Sequence, residues 1–484
     1  MKKLAAVLAV LLFAVAVFRA WTQSITHDEA YTWRLFIASP FSSILNTYDA
    51  NHHILHTWLV RLSTSIAGVS EFTLRLPALA GAALYLWTLT RLSTRLFAHS
   101  WLAPASVILL GASPLVMDFQ VAARGYGLAL AFFFFAFDRL LAVLGGDLER
   151  KTLWTAGAAL GLSIASNLVF VIPVALLAAL FLSLWTPPAP APARKIKKKR
   201  VETPAKPLAR RTDLLIAFAA VMVLLFFMSP VKKMLKPGLY YVGQPTLALS
   251  LADLADTTLG HNEGIREFNA PIDGNEPLKH AFGYGVYPAV LLLGAVLGWQ
   301  RRTTAPHILI AAAVALGAWF AVSVMHVALG TPFPTDRTGI YHFPLFALVL
   351  LGLAASSVMA LRIAAGTLAA ALMLSFALQL QVNYFRMWRF DAETRRLAVE
   401  LNQRGLKQGK PVTTGISWLL RPAVDFYQAT LGARGFEYAL PHKMRPGLDV
   451  YLLTSDDYPL IDNYNLRTTR ALSIPQILMA EPKP

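Results

Sequence analysis

The sequence predicts an α-helical polytopic membrane protein of about eleven transmembrane helices, with amphipathic juxtamembrane helices and a small C-terminal α/β extracytoplasmic domain. Composition carries the first argument: 56% of the 484 residues are hydrophobic and only 15% are charged. A soluble globular chain has about 25% charged residues. The mean hydropathy of +0.51 agrees. The second argument is the placement of the net charge of +17, whose basic residues fall in the gaps between apolar runs. That is where the positive-inside rule puts them, and it argues against a nucleic-acid-binding face. Cysteine is absent, which removes disulfides, thiolate chemistry and cysteine metal sites.

The elements follow in order along the chain. Lys2 and Lys3 precede an apolar run from Leu4 to Phe18, and Phe18-Arg19-Ala20-Trp21 offers no small-x-small cleavage site. This reads as a retained signal anchor with a cytoplasmic N-terminus. Residues 21 to about 70 form a long outer loop, in which Ile54 to Ile66 has the pattern of an interfacial amphipathic helix. Spans follow at about Phe72–Leu89, Trp101–Met117 and Gly125–Leu144, with Asp118 to Arg124 as a short outer turn. The apolar stretch from Thr152 to Trp185 is too long for one helix, so it should be two short ones turning near Ser166-Asn167. Pro187 to Pro192 and the basic stretch Arg194–Arg211, with nine Lys or Arg against one Glu, mark the inner side. Leu214 to Pro230 leads out, and Val231 to Tyr284 is a second long outer loop. Spans at Tyr287–Trp299, Ile308–Leu329, Ile340–Met359 and Ile363–Leu380 complete the set.

The composition changes near Asn383, dividing the chain into a membrane domain, 1–382, and an extracytoplasmic accessory domain, 383–484. Asp391 to Arg404 reads as a helix closed by Gly405, Pro411 to Ile416 and Leu448 to Thr454 as strands, and Val424 to Leu431 as a helix between them. This domain shows no catalytic motif.

The chain is organised around Thr26-His27-Asp28-Glu29-Ala30-Tyr31, where two carboxylates stand as the first run leaves the membrane. Acids there are expensive to desolvate and mark functional sites. A carboxylate in a partly apolar cleft has its pKa raised, which suits a general base. The competing reading makes Asp28 the N-cap of a short helix. His52, His53 and His56 allow a metal reading: His52 and His56 are four apart, share a face if helical, and with Asp49 or Asp28 would hold a divalent cation. An interfacial hydrogen-bonding surface is the alternative.

The ordered motifs His27-Asp28-Glu29-Ala30, Asp49-Ala50-Asn51-His52-His53, Arg75-Leu76-Pro77, Asp118-Phe119-Gln120 with Arg124-Gly125-Tyr126, and Asp336-Arg337-Thr338 resemble the GT-C superfamily of polyprenyl-phosphate-sugar-dependent glycosyltransferases. The nearest branch is that of the bacterial protein O-mannosyltransferase and aminoarabinose transferase relatives. The resemblance is strongest over the first 130 residues, and it departs where relatives often carry His-Pro-Pro in place of His52-His53-Ile54. It implies transfer of a sugar from a lipid-phosphate donor to an extracytoplasmic hydroxyl, with inversion, in a bacterial inner membrane. Asp28 and Glu29 take the catalytic positions, with Asp28 as base. Asp49, Asn51, His52, His53, Arg75, Asp118, Arg124, Tyr126, Asp336 and Arg337 are the substrate-binding candidates. Arginine suits a departing lipid phosphate because its fork binds phosphate bidentately and stays ionised. A monophosphate leaving group demands no metal cofactor. The implied partners are the polyprenyl-phosphate sugar, a glycan, lipid or protein acceptor, and membrane lipids, with no nucleic acid. A lipid-linked oligosaccharide ligase or polymerase would share these residues. A transporter would usually place ionisable groups within its spans, and Asp138-Arg139 is the one close case.

Overall fold

A computed structural model describes residues 1–98, 100–186, 209–234, 242–260, 276–438, 444–472 and 477–484. The Pro-rich segment and most of the basic stretch Arg194–Arg211 lie outside the described residues. The chain is mostly helical, with α1 Lys2–Thr22, α2 His27–Thr32, α3 Ser43–Asn46, α4 Ile54–Ala67, α5 Glu71–Phe97, α6 Leu102–Gly111, α7 Pro114–Phe119 and α8 Gly125–Leu144 in its first part. Next come α9 Arg150–Ser166, α10 Val171–Leu184, α11 Arg211–Met228, α12 Val231–Met234 and α13 Leu247–Leu259. After Glu276–His280 come the Tyr287–Gln300, Pro306–Leu329, His342–Ala354 and Met359–Leu378 helices.

Among the described residues, seven helices are long and apolar enough to cross a bilayer, and three shorter apolar helices stand among them. With α9, these match the eleven expected apolar stretches. The 34-residue stretch does break where expected. Asn167 is extended, and its side chain accepts from the Val169 N–H, replacing the helical bonds lost at the break. The second expected span is longer than its apolar run: α5 continues to Phe97, so Arg91 and Arg95 lie within the helix. The expected span from Trp101 to Met117 divides at Ala112-Ser113, and Pro114 begins the separate α7.

The C-terminal part holds a five-stranded sheet in the order β2-β1-β3-β5-β4. The expected β1 (Val412–Ile416) and β3 (Val450–Leu453) lie parallel at its centre. Sequence reading missed β2 (Phe436–Tyr438), β4 (Leu466–Leu472) and β5 (Ile477–Pro482). β4 shows little alternation, since its middle residues are polar and solvent-facing, and its register slips between Thr468 and Arg470. The expected helix closed by Gly405 runs instead from Thr394 to Gln408 and ends at Gly409, at φ +68°. Gly405 has a packing role, because a Cβ there would lie 1.7 Å from the Gly435 carbonyl oxygen.

The sheet unit packs directly on the segment that follows α1. Ile25, Ala30 and Trp33 share one buried cluster with Leu397, Leu401, Val424 and Phe426. The Tyr427 hydroxyl accepts the Ile25 N–H at 2.7 Å, and Asp391 accepts the His27 N–H at 2.5 Å.

Candidate active site

The site starts at the N-terminus of α2. Its cap is Thr26, and Asp28 sits one position inside the helix. The Thr26 hydroxyl accepts the Glu29 N–H at 3.2 Å, while Glu29 Oε2 accepts the Thr26 N–H at 2.9 Å. The cap that the competing reading assigned to Asp28 is therefore Thr26, which leaves the Asp28 side chain free to face a cavity.

Glu29 faces the opposite way. Its carboxylate accepts Arg75 Nε at 2.9 Å and Arg75 Nη2 at 2.8 Å, and neither side chain is exposed. Glu29 Oε1 also takes the Ala123 N–H at 2.6 Å. Arg75 directs its remaining donors to the carbonyls of Ala20, Gln23 and Ser24, so all five of its N–H groups are used. It thereby closes the C-terminal end of α1, where carbonyls would otherwise be orphaned. Asp118 is sealed too, holding Arg19 Nη2 at 2.5 Å and the Arg386 N–H at 2.8 Å. Glu29, Arg75 and Asp118 thus stand away from the cavity as bracing groups.

The cavity, of about 480 Å³, is lined by eight of the sequence candidates: Asp28, Asp49, Asn51, His52, His53, Arg124, Tyr126 and Arg337. Asp28 Oδ2 lies 3.5 Å from Arg124 Nη2 and 3.6 Å from Arg337 Nη2. These separations are ionic rather than well-formed hydrogen bonds. Arg124 is 1% exposed, and its Nε has no partner among the described residues. Its Nη1 donates to Asn51 Oδ1, and Asn51 is itself held by its N–H to Asp49 Oδ1 at 2.8 Å. Gly125 permits this placement: a Cβ there would lie 2.0 Å from the Ser166 carbonyl oxygen and 2.7 Å from His53 Cβ.

The expected rise in the Asp28 pKa is not found. Burial alone would raise it, but Arg124, Arg337 and His27, with a hydrogen bond from Trp388, hold it below its ordinary 3.8. The histidines move the other way. Burial takes His52 down to about 4 and His56 down to about 3, and burial together with Arg124 takes His53 well below its ordinary value. They are neutral near pH 7, acting as dipoles and ring surfaces. His53 Nδ1 meets Asn167 Nδ2 at 3.1 Å, and His52 stacks on Phe36 at 4.3 Å. The shared helical face expected of His52 and His56 does not exist, because α4 begins at Ile54 and His52 precedes it. Among the described residues no three metal-ligating side chains converge.

Asp336 does not line the cavity. It takes φ +42°, a left-handed backbone that Asp tolerates better than most residues. The segment before and within α13 clasps its loop: Gln244 and Phe333 exchange backbone bonds at 2.8 and 2.9 Å, Ser250 bonds the Pro334 carbonyl, and Asp253 accepts the Asp336 N–H. That clasp fixes the loop carrying Arg337. Sequence reading missed His27, Tyr31, Tyr48, Asn167 and Thr338 in the cavity wall. Two were next to the signal, since His27 and Tyr31 flank the acidic pair. Asn167 was visible as the polar break in an apolar stretch.

Two outcomes follow. Glu29→Gln leaves Arg75 buried without its counter-charge and should cost about 3–5 kcal/mol, read as thermal unfolding of the purified protein, whereas Asp28→Asn should unfold like wild type. Glu29→Gln with wild-type stability would show that the pair is not a brace. The second concerns pH. Burial, and then the Asp336 charge, push the Asp253 carboxyl up from 3.8 to about 7. A carboxyl raised on folding contributes stability below its unfolded pKa and loses it as pH rises through the folded one, here between about 4 and 7. Asp253→Asn keeps an acceptor for the Asp336 N–H and carries no charge. Its melting temperature should exceed that of wild type at pH 8 by more than at pH 4, and an equal difference at both would refute the clasp's titration.

Residues 51–198 match the family described as dolichyl-phosphate-mannose-protein mannosyltransferase. No curated protein sequence matches the chain. Among solved structures, ArnT from Cupriavidus metallidurans in the apo state is similar at 12% identity and a TM-score of 0.46, over 99% of each chain. The same protein bound to undecaprenyl phosphate gives 12% and 0.44, over 100% of this chain and 99% of that one. The Archaeoglobus fulgidus oligosaccharyltransferase gives 14% and 0.42, over 89% of this chain and 62% of its own. Likenesses this distant carry no argument about residues or ligands. The match over residues 51–198 takes in less than half of the chain and agrees with the ordered motifs that lie within it.

Proposed function

We propose that this enzyme moves a sugar from a polyprenyl-phosphate-linked donor to a hydroxyl of an extracytoplasmic acceptor, inverting the anomeric carbon. The observation that carries the reading is one carboxylate oxygen, Asp28 Oδ2, held between two guanidinium groups at the wall of a polar cavity. In this assignment Asp28 takes the acceptor proton. Arg124 and Arg337 hold the departing lipid phosphate, and Asn51, Asp49, Tyr126, His52 and His53 shape the sugar and hydroxyl contacts.

The charge balance supports that division of labour. With the cavity free of anions, the two arginines stabilise the Asp28 carboxylate and make it a weak base. A phosphate on the same arginines offsets their charge, so the proton affinity of Asp28 rises when the donor is bound. The base is therefore strengthened at the moment it is needed. Arg124, buried and with an unused donor, gains more from an incoming phosphate than it would from water.

The test is release of free polyprenyl phosphate from lipid-linked sugar in membranes carrying the protein, with envelope glycans compared by mass spectrometry. Asp28→Asn should lower turnover by about 10²- to 10⁴-fold, the usual worth of a general base. Arg124→Lys, a point charge in place of a fork, should weaken it less than Arg124→Ala. Full turnover in Asp28→Asn would remove the base from this reading.

The proposed orientation is multi-pass in a bacterial inner membrane, with the N-terminus cytoplasmic and the cavity and C-terminal domain, 383–484, periplasmic. Arg91, Arg95, Arg139, Arg150, Lys151, Arg301 and Arg302 support it, because each lies within about two turns of a helix end expected to be cytoplasmic. Reporter fusions at residues 200 and 484 should report opposite sides; the same side from both would overturn it.

A further inference from the structure

Asp138 of α8 is fully buried and draws three guanidinium groups onto one point. Arg91 Nε and Arg95 Nε each lie 3.1 Å from its carboxylate, and Arg139 Nη2 lies 2.8 Å from it. Arg91 and Arg95 are one turn apart on the same face of α5. Three cations around one anion leave an excess of two positive charges. Each arginine spends one nitrogen on Asp138, and the other N–H groups have no partner among the described residues. The three side chains are 37%, 33% and 17% exposed, so the cluster is open to an incoming group. Neighbouring cations differ: Arg150 is paired with Asp213 and Lys151 with Glu149.

One turn deeper, Trp87 of α5 and Phe135 of α8 stack at 6.0 Å and 24°. Arg91 lies over the Trp87 ring at 5.0 Å, and Arg139 over Phe135 at 5.5 Å. Trp87 is half exposed. Arg139 lies 15 residues along α8 from Arg124, which is roughly 20 Å at the helical rise. The cluster is therefore at the other end of the bundle from the cavity.

We infer that this cluster binds the phosphodiester headgroup of an anionic phospholipid, with an acyl chain lying along the Trp87–Phe135 wall. Helix dipoles and the positive-inside rule explain arginines at this end. They do not explain three of them converging on one buried carboxylate beside a flat aromatic wall. Arginine forks match phosphate oxygens, and basic pockets between transmembrane helices recognise anionic headgroups. A soluble phosphate would meet only the arginines, so the aromatic wall favours the lipid.

The test is native mass spectrometry of the purified full chain from mixed micelles holding phosphatidylglycerol and phosphatidylcholine in equal amounts. Wild type should retain phosphatidylglycerol preferentially. The double variant Arg91→Gln with Arg95→Gln should lose that preference by roughly thirtyfold, the attraction of two interfacial arginines. Arg139 still pairs Asp138 in that variant, and an unchanged melting temperature checks its fold. If it does not fold, Arg91→Lys with Arg95→Lys keeps the charge and should lose only part of the preference. Equal retention of both lipids by wild type, an undiminished preference in the Gln variant, or displacement of the lipid by inorganic phosphate would each overturn the assignment.

Discussion

Glu29 and Arg75 are fully desolvated and hold one another through two parallel hydrogen bonds. Around that pair the cavity-bearing end of the bundle is assembled. Through Arg75 it fixes the end of α1, through the Thr26 capping bonds it fixes the start of α2, and through the Ala123 N–H it fixes the residue before Arg124. A buried ion pair is not in itself a source of net stability, because desolvation offsets the attraction. It is a source of registration, since every lone pair and N–H must be matched at once. Of the two groups proposed to do chemistry, Asp28 is the chain neighbour of Glu29 itself, and Arg124 is the chain neighbour of Ala123, whose N–H bonds Glu29.

The cavity shows the complementary arrangement. Where Glu29 and Arg75 are saturated, Asp28, Arg124 and Arg337 are held near one another at distances too long for full hydrogen bonding. Saturated charges brace, and unsaturated ones remain available to a ligand. The two adjacent acids of the sequence divide between these roles because successive residues on a helix point about 100° apart. Asp28 faces the cavity and Glu29 faces the bundle.

Much of this was legible from the chain and some was not, for identifiable reasons. Hydropathy and basic residues marked the apolar stretches, and the break at Asn167 followed from length alone. Asp28 was singled out because two acids stand just after the first apolar run, and Arg124 and Arg337 because they fall in the motifs that carry the resemblance. The separate duties of Glu29, Arg75 and Asp118 were hidden, since they depend on contacts between residues 46 and 99 positions apart. The histidine spacing misled because it assumed a helix that begins two residues later, at Ile54. β4 was missed because an exposed strand rich in Arg and Thr carries no strong period of two.

The bonds from the C-terminal part to the start of α2 bear on biosynthesis. Every residue lining the cavity precedes residue 339, yet His27 and Ile25 are held by Asp391 and Tyr427, partners 364 and 402 positions later. At a synthesis rate of about 5–20 residues per second, the emerging chain carries its whole cavity wall for several seconds before those supports exist. During that interval α2 is oriented by its own cap, by the Glu29 bonds to Arg75 and the Ala123 N–H, and by the Asp28 contacts with Arg124 and Arg337, without the C-terminal supports. The last hundred residues thus act as a late fastener, and a nascent or truncated chain would hold the right side chains without holding them still.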